Sequence, residues 1–101
     1  MLFREALGEV LREARTTKGL TLRTASAKGC IALGYLSEVE RGHKEISSEP
    51  LQALAKGLGI DTSDLIWRTA VRMAGLDVPD TPESLFTPRS EVWTKQYADL
   101  L

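Results

Sequence analysis

The sequence predicts an all-α protein with five short helices, a connector that contains prolines, and one terminal helix. Apolar residues recur at the spacing of a helix face, and no stretch alternates apolar and polar residues over the length of a strand. Glycines and capping residues divide this periodicity into separate segments. With 101 residues, of which 43% are hydrophobic, the chain has the size and composition of one globular domain.

The first helix is predicted over residues 3–18, because its apolar residues lie on one face and Gly19 follows them. Thr21 has the position and side chain of an N-cap, so a second helix of about two turns should begin there and end near Gly29. Leu20 directly precedes this cap, where a hydrophobic staple is expected.

The third helix is predicted from about Leu33 to Arg41, with Gly42 as its stop signal. Ser47 is expected to cap the fourth helix, which carries a buried leucine-rich stripe and ends at Gly59. Both helices thus end at a glycine that is readable in the sequence, and the fourth also begins at a capping signal.

Asp61 is expected to cap the fifth helix, which stops at Gly75. Residues 76–88 contain three prolines and form the predicted connector. Residues 89–101 form the predicted terminal helix, whose apolar residues share one side. The expected organisation is therefore a core over residues 1–75, followed by the connector and this helix.

The charges are distributed unevenly along the chain. The net charge is −1 and the isoelectric point about 5.8, which counts against a uniformly basic nucleic-acid-binding protein. The segment from Arg12 to Lys44, however, contains seven basic and three acidic residues, a local net charge of +4, whereas residues 59–101 carry a net charge of −3. One basic face within the first half therefore stays compatible with binding a polyanion.

Several protein classes are excluded by what the sequence lacks. It has no apolar stretch of membrane-spanning length and no signal-peptide core, so we expect a soluble cytoplasmic protein. Its single cysteine, Cys30, allows neither an internal disulfide nor a cysteine zinc cluster, and we expect it to pack inside. With no phosphate loop, catalytic constellation or metal spacing, we expect no enzyme activity, cofactor or metal.

Two short helices joined by a tight turn at Gly29, Cys30 and Ile31 indicate a helix-turn-helix, whose second helix enters the major groove of DNA. The segment GLTLRTASAKGCIALGYLSEVERG resembles the Cro/C1-type repressor superfamily, also called the XRE family. An overlapping segment, LGYLSEVERGHKEISSE, is similar to the corresponding segment of the actinobacterial clp gene regulators, a branch of this superfamily. The resemblance implies a lambda-repressor-like fold of five helices and a sequence-specific regulator of double-stranded DNA, with Clp protease genes as targets.

The resemblance also assigns roles to single residues. The positions that face bases in the family are Leu33, Gly34, Ser37 and Glu38, and those that surround the helix as phosphate contacts are Arg23, Tyr35, His43 and Lys44. For each polar residue the alternative is an ordinary solvated surface, and for Leu33 it is core packing. The sequence departs from the family at Leu22, often a glutamine, at Ala32, usually a Ser or Thr cap, and at Gly34.

Arg15 and Glu40 match a pair that bridges the first and third helices in the resembled family. Its role would be structural, because it would orient the recognition helix. Removing one partner of a buried ion pair costs several kcal/mol of folding stability, about 3–5 kcal/mol, whereas an exposed pair contributes at most about 1 kcal/mol. The sequence does not show whether this pair is buried or exposed.

We expect a homodimer on a palindromic operator, because one helix-turn-helix reads few bases. The expected interface combines the exposed side of the fifth helix with the terminal helix, through Trp67, Val92, Trp93, Tyr97, Leu100 and Leu101. The alternative is packing of the terminal helix onto its own core. Asp99, Leu100 and Leu101 are also compatible with a protease-recognised tail, but the end of an amphipathic helix is the preferred explanation.

Three further interpretations remain open at this stage. RNA polymerase is an expected partner if the protein activates transcription. A helix-turn-helix used for protein interaction, as in an antitoxin or adaptor, is the alternative function, and the acidic second half is compatible with it. A small-molecule sensor would need an additional domain.

Overall fold

The computed structural model describes residues 1–75, which form five helices and no strand. They are α1 (Phe3–Thr17), α2 (Leu22–Lys28), α3 (Leu33–Glu40), α4 (Ser48–Leu58) and α5 (Thr62–Met73). The all-α class and the order of the five core helices are confirmed. The predicted connector over residues 76–88 and the predicted terminal helix over residues 89–101 lie outside the described residues.

One apolar cluster forms the core, and every helix contributes to it. The stripes predicted for α1 and α4 face inward, as the spacing of one helix face requires, except that Phe3 at the start of α1 is exposed. The buried members are Leu7, Val10, Leu11, Ala14, Ala25, Leu36, Val39, Leu51, Leu54, Ala55, Leu58, Ile60 and Leu65. Among helices α1–α5, none combines the length and apolar character that crossing a bilayer requires.

Two close backbone approaches position the helices around this core. α1 packs on α3 where Gly8 lies, and a Cβ atom there would be 2.6 Å from the carbonyl oxygens of Val39 and Glu40. α2 packs on α4 at Gly29, where a Cβ atom would be 3.0 Å from the Cα of Leu54. Any larger residue at either position would push the paired helices apart.

Charged side chains add to the contact between α1 and α5. Arg68 is 2% exposed; burial lowers its pKa, and the nearby carboxylates of Glu13 and Asp64 oppose that shift. Arg72 donates from one guanidinium nitrogen to Glu13 at 2.8 Å and from the other to Glu9 at 3.4 Å. α5 is therefore attached to α1 by ion pairs as well as by apolar packing.

The capping predictions were right in position and only partly right in mechanism. Thr21 caps α2, and its hydroxyl accepts a hydrogen bond from the Thr24 amide at 3.0 Å. Ser47 and Asp61 occupy the N-cap positions of α4 and α5, but neither side chain makes a capping hydrogen bond. The sequence signal therefore located the helix starts without determining how each start is satisfied.

Candidate nucleic-acid interface

The turn between α2 and α3 sets the geometry of the helix-turn-helix. After Gly29, Cys30 adopts the left-handed conformation, with φ of 53°. Its amide donates to the Ala27 carbonyl at 3.2 Å, and the Ile31 amide donates to the Ser26 carbonyl at 3.0 Å. These two bonds satisfy carbonyls at the end of α2 and turn the chain directly into α3.

The prediction that Cys30 packs inside was wrong, because its side chain is exposed. Each of the other four helices is followed by a glycine in the left-handed conformation. After α2, the glycine comes one residue before the left-handed position. Gly29 has a φ of −90° and lies close to Leu54, and the left-handed conformation falls on the next residue, Cys30. That conformation directs the thiol outward.

The N-terminal end of α3 is open to solvent. Ala32 is its N-cap and supplies no side-chain hydrogen bond, as the departure from the family pattern implied. Gly34 is exposed, and a Cβ atom there would meet nothing within 4 Å. Leu33 is half-buried, but it is absent from the apolar side chains that pack against the core. This end of the helix is therefore accessible to a partner.

The four predicted base-facing residues come together on the outer side of α3. Leu36 and Val39 point into the core and Tyr35 packs against it, whereas residues 33, 34, 37 and 38 share another face by their helical spacing. Gly34 is exposed, and Leu33, Ser37 and Glu38 are half-buried. The structure thus presents this set as one surface.

The predicted pair between α1 and α3 is present. Arg15 donates from Nε to Oε2 of Glu40 at 2.8 Å and from a terminal nitrogen to Oε1 at 3.0 Å, which is a two-pronged contact. Its third nitrogen donates to the Leu20 carbonyl at 2.9 Å. The side chains of Arg15 and Glu40 are only 13% and 6% exposed, so this is a mostly buried pair.

Glu38 has two intramolecular partners. Arg41 donates to one of its carboxylate oxygens, and Nδ1 of His43 lies 3.3 Å from the other. Arg41 also approaches the Ser37 carbonyl, with its Nε at 3.4 Å. The outer surface of α3 therefore extends to Arg41, which was not among the predicted site residues. The sequence signal for it is its spacing, because Arg41 follows Ser37 by one helical turn.

The loop after α3 is tied to two helices. The Tyr35 hydroxyl donates to the Glu45 carbonyl at 2.6 Å, and Arg4 donates from Nε to the Gly42 carbonyl at 3.1 Å. A terminal nitrogen of Arg4 lies 3.4 Å from the Glu45 carboxylate. Because a tyrosine hydroxyl has one proton, Tyr35 would have to release Glu45 before donating to a phosphate.

The predicted phosphate contacts lie on the surface. Arg23, His43 and Lys44 are exposed, and Tyr35 is half-buried. Beside them a groove of about 260 Å³ is lined by side chains of α1, α2 and α3, namely Arg12, Arg15, Leu22, Ser37, Glu40 and Arg41. Arg12 and Arg41 are exposed cations of this groove that the sequence analysis did not single out. The feature of the sequence that could have indicated them is the excess of basic residues between Arg12 and Lys44.

The predicted dimer surface is only partly described. Trp67 is half-buried, with the Arg68 guanidinium 5.8 Å from the centre of its ring. The other five predicted interface residues lie outside the described residues: Val92, Trp93, Tyr97, Leu100 and Leu101. In the described part, α5 exposes Ile66 and Met73, at 38% and 42%. No group of three potential metal ligands occurs within residues 1–75.

Comparison with known sequences places this geometry among regulators. The model of the helix-turn-helix family HTH_3 matches residues 11–65. The transcriptional regulator ClgR of Mycobacterium tuberculosis is 48% identical over 73 residues, which cover 72% of this chain and 65% of that protein. The HTH-type transcriptional regulator DdrOP3 of Deinococcus deserti is 43% identical over 60 residues, covering 59% of this chain and 46% of DdrOP3. The chain thus spans less than two thirds of the length of these relatives.

Two crystal structures of the clp gene regulator ClgR from Corynebacterium glutamicum have the same fold. One is 45% identical with a TM-score of 0.68, covering 72% of this chain and 95% of the crystallised one. The other is 36% identical with a TM-score of 0.71 and covers 96% of both chains.

Proposed function

Because the chain belongs to the Cro/C1-type helix-turn-helix family, in the branch of the clp gene regulators, we propose that it is a transcription regulator that binds double-stranded DNA sequence-specifically. The observation that carries the proposal is the orientation of α3. Its inner residues Leu36 and Val39 are buried and Glu40 is paired with Arg15, while its outer side faces solvent. A helix held in this way can enter the major groove without rearranging the core.

The outer side of α3 supplies the proposed base contacts. Ser37 can donate or accept a hydrogen bond, Glu38 can accept one from a cytosine amine, and Leu33 can contact a thymine methyl group. Gly34 has no side chain, so the backbone there can approach the bases closely. These four residues account for sequence preference in the proposed complex.

The phosphate contacts are proposed around this helix. Arg23, His43 and Lys44 are exposed and carry or can carry positive charge. Such contacts fix position and salt dependence more than sequence choice. Tyr35 has an indirect role in this proposal. Its hydroxyl donates to the Glu45 carbonyl and so positions the loop that bears His43 and Lys44.

We propose a homodimer on a palindromic operator. Its two α3 helices lie about 34 Å apart in this proposal, so that they enter two successive major grooves, one helix in each. The exposed Ile66 and Met73 of α5 support an interface on this helix, because they lie seven residues apart and so share one face. Trp67 and the apolar residues of the terminal helix complete it in the proposal. Truncation after Gly75 should lower both dimerisation and operator affinity, as measured by sedimentation and by titration with operator DNA.

The proposed setting follows from the relatives. The protein acts in the cytoplasm on genes of the Clp protease system, without catalysing a reaction, and contacts RNA polymerase if it activates these genes. The crystallised ClgR from Corynebacterium glutamicum is a clp gene regulator, which supports this choice of targets.

The deciding experiment is in vitro selection of bound sequences from random duplex DNA, with affinity for the selected sequence measured over a salt series. A DNA-binding regulator yields a palindromic site and a linear fall of log affinity with log salt concentration. A module that serves protein interaction alone yields neither. Ser37→Ala should relax sequence preference by about 1–3 kcal/mol at one position, whereas Lys44→Ala should weaken all sites alike and lower the salt slope by about one.

A further inference from the structure

Both carboxylate oxygens of Glu38 are occupied within the protein. Arg41 donates to Oε1, and the His43 ring nitrogen lies 3.3 Å from Oε2. The same Arg41 side chain is anchored by the Ser37 carbonyl, 3.4 Å from its Nε. Glu38 is 32% exposed, whereas Arg41 and His43 are 57% and 59% exposed, so the cluster lies on the surface.

Stability of the fold does not account for this cluster. Ion pairs between exposed side chains contribute little to folding, because water screens them and the long side chains lose freedom. The mostly buried pair of Arg15 and Glu40 already fixes α3 from its inner side. The arrangement around Glu38 therefore requires a different explanation.

A carboxylate on a DNA-reading helix faces an electrostatic difficulty. Duplex DNA carries one negative charge for about every 1.7 Å of its axis, so an isolated Glu38 would be repelled from the groove. A neighbouring guanidinium cancels that charge while leaving lone pairs on the carboxylate oxygens, each of which can accept more than one hydrogen bond. Glu38 can then still accept from a base amine.

We propose that Arg41 is a specificity-determining positioning residue, which with His43 holds Glu38 in one orientation and neutralises it so that it can select cytosine through its amine. This inference rests on the proposed DNA-binding function. Arg41 acts through Glu38 and need not touch a base. Its planar fork reaches both the Glu38 carboxylate and the Ser37 carbonyl, which the single ammonium group of lysine cannot do in the same geometry.

The test compares variants on a selected operator and on operators altered at each position. The variants are Arg41→Met, Arg41→Lys, Glu38→Gln, the double variant Arg41→Met with Glu38→Gln, and Arg23→Met as the control. Arg23→Met removes one exposed cation of the same type from α2, away from Glu38. Thermal unfolding confirms that each variant is folded, which the exposure of these side chains favours.

We expect Arg41→Met to reduce discrimination at the base pair read by Glu38, by roughly 5- to 100-fold. The double variant should lose no more discrimination than the larger single loss, because both substitutions disable one contact. Arg41→Lys should retain the salt slope and recover only part of the discrimination. Arg23→Met should weaken all operators by a common factor.

The proposal is overturned if Arg41→Met weakens every operator equally and leaves the base preference intact, because Arg41 would then contact phosphate only. Full recovery of discrimination by Arg41→Lys would equally overturn it, since charge alone would suffice. Failure of the DNA-binding proposal has a separate signature, because the unaltered protein would then show no salt-dependent binding to any duplex.

Discussion

The two ends of α3 differ in how the rest of the protein supports them. At the C-terminal end, Val39 and Glu40 lie against Gly8, and the Glu40 carboxylate is held by Arg15. At the N-terminal end, Ala32 makes no capping bond and Gly34 has open space beside it. The difference separates two features, because the supported end fixes the orientation of the helix and the open end is accessible to a partner.

Breaking the pair at the supported end should have the largest effect on stability. Arg15→Ala or Glu40→Ala alone should lower the free energy of unfolding by about 3–5 kcal/mol, because either change leaves a mostly buried charge without its partner. The double variant should cost less than the sum of the two, which denaturant unfolding of all four proteins measures as a coupling energy.

A matched control for that cycle is the pair of Arg4 and Glu45, which also joins distant segments but is 38% and 69% exposed. Its coupling energy should lie between 0 and about 1 kcal/mol. If the cycle of Arg15 and Glu40 gave a value as small as this, the anchoring role of the pair would have to be abandoned.

The same substitution at the two ends should have opposite effects. Gly8→Ala places a methyl group 2.6 Å from two carbonyl oxygens of α3 and should destabilise the protein by about 1–3 kcal/mol. Gly34→Ala meets nothing within 4 Å and should stabilise it by up to about 1 kcal/mol, since alanine favours the helix. Chemical denaturation compares both, and changes of equal sign would contradict the difference between the ends.

Ala32→Ser should give the smallest effect, a gain of about 1 kcal/mol or less in unfolding free energy. A serine hydroxyl at this N-cap can accept from an amide of the first turn of α3, which no side chain now does. Thermal unfolding measures the gain. As a control, Thr21→Ala removes the working cap of α2 and should lower stability by a similar amount, so a loss in both variants would argue against an open N-terminus.

The fold was largely predictable from sequence because its helices end at local signals. Glycine follows four of the five helices in the left-handed conformation, and Thr21 caps the second in the expected manner. The partnership of Arg15 and Glu40 could be anticipated only through family resemblance, because 25 residues separate them. Its burial depends on the packing of α1 on α3, which no local pattern contains.

Features that depend on tertiary packing were not predictable from local patterns. Cys30 was expected inside, yet it adopts the left-handed conformation after α2 and its side chain is exposed. Asp64 lies in the first turn of α5, and the structure buries it near Arg68. The hydrogen bond from Tyr35 to Glu45 likewise depends on where the loop after α3 returns.

The open space beside Gly34 also has an evolutionary consequence. A Cβ atom introduced there would meet nothing within 4 Å, so a small side chain at this position is free of the packing constraint that acts on the core. Under the proposed function, descendants of one ancestral gene would acquire different operators by changing this position while keeping the same scaffold, with Gly8 and Arg15 preserving the angle of the helix. Divergence of regulatory targets in such a lineage requires no compensating change in the interior.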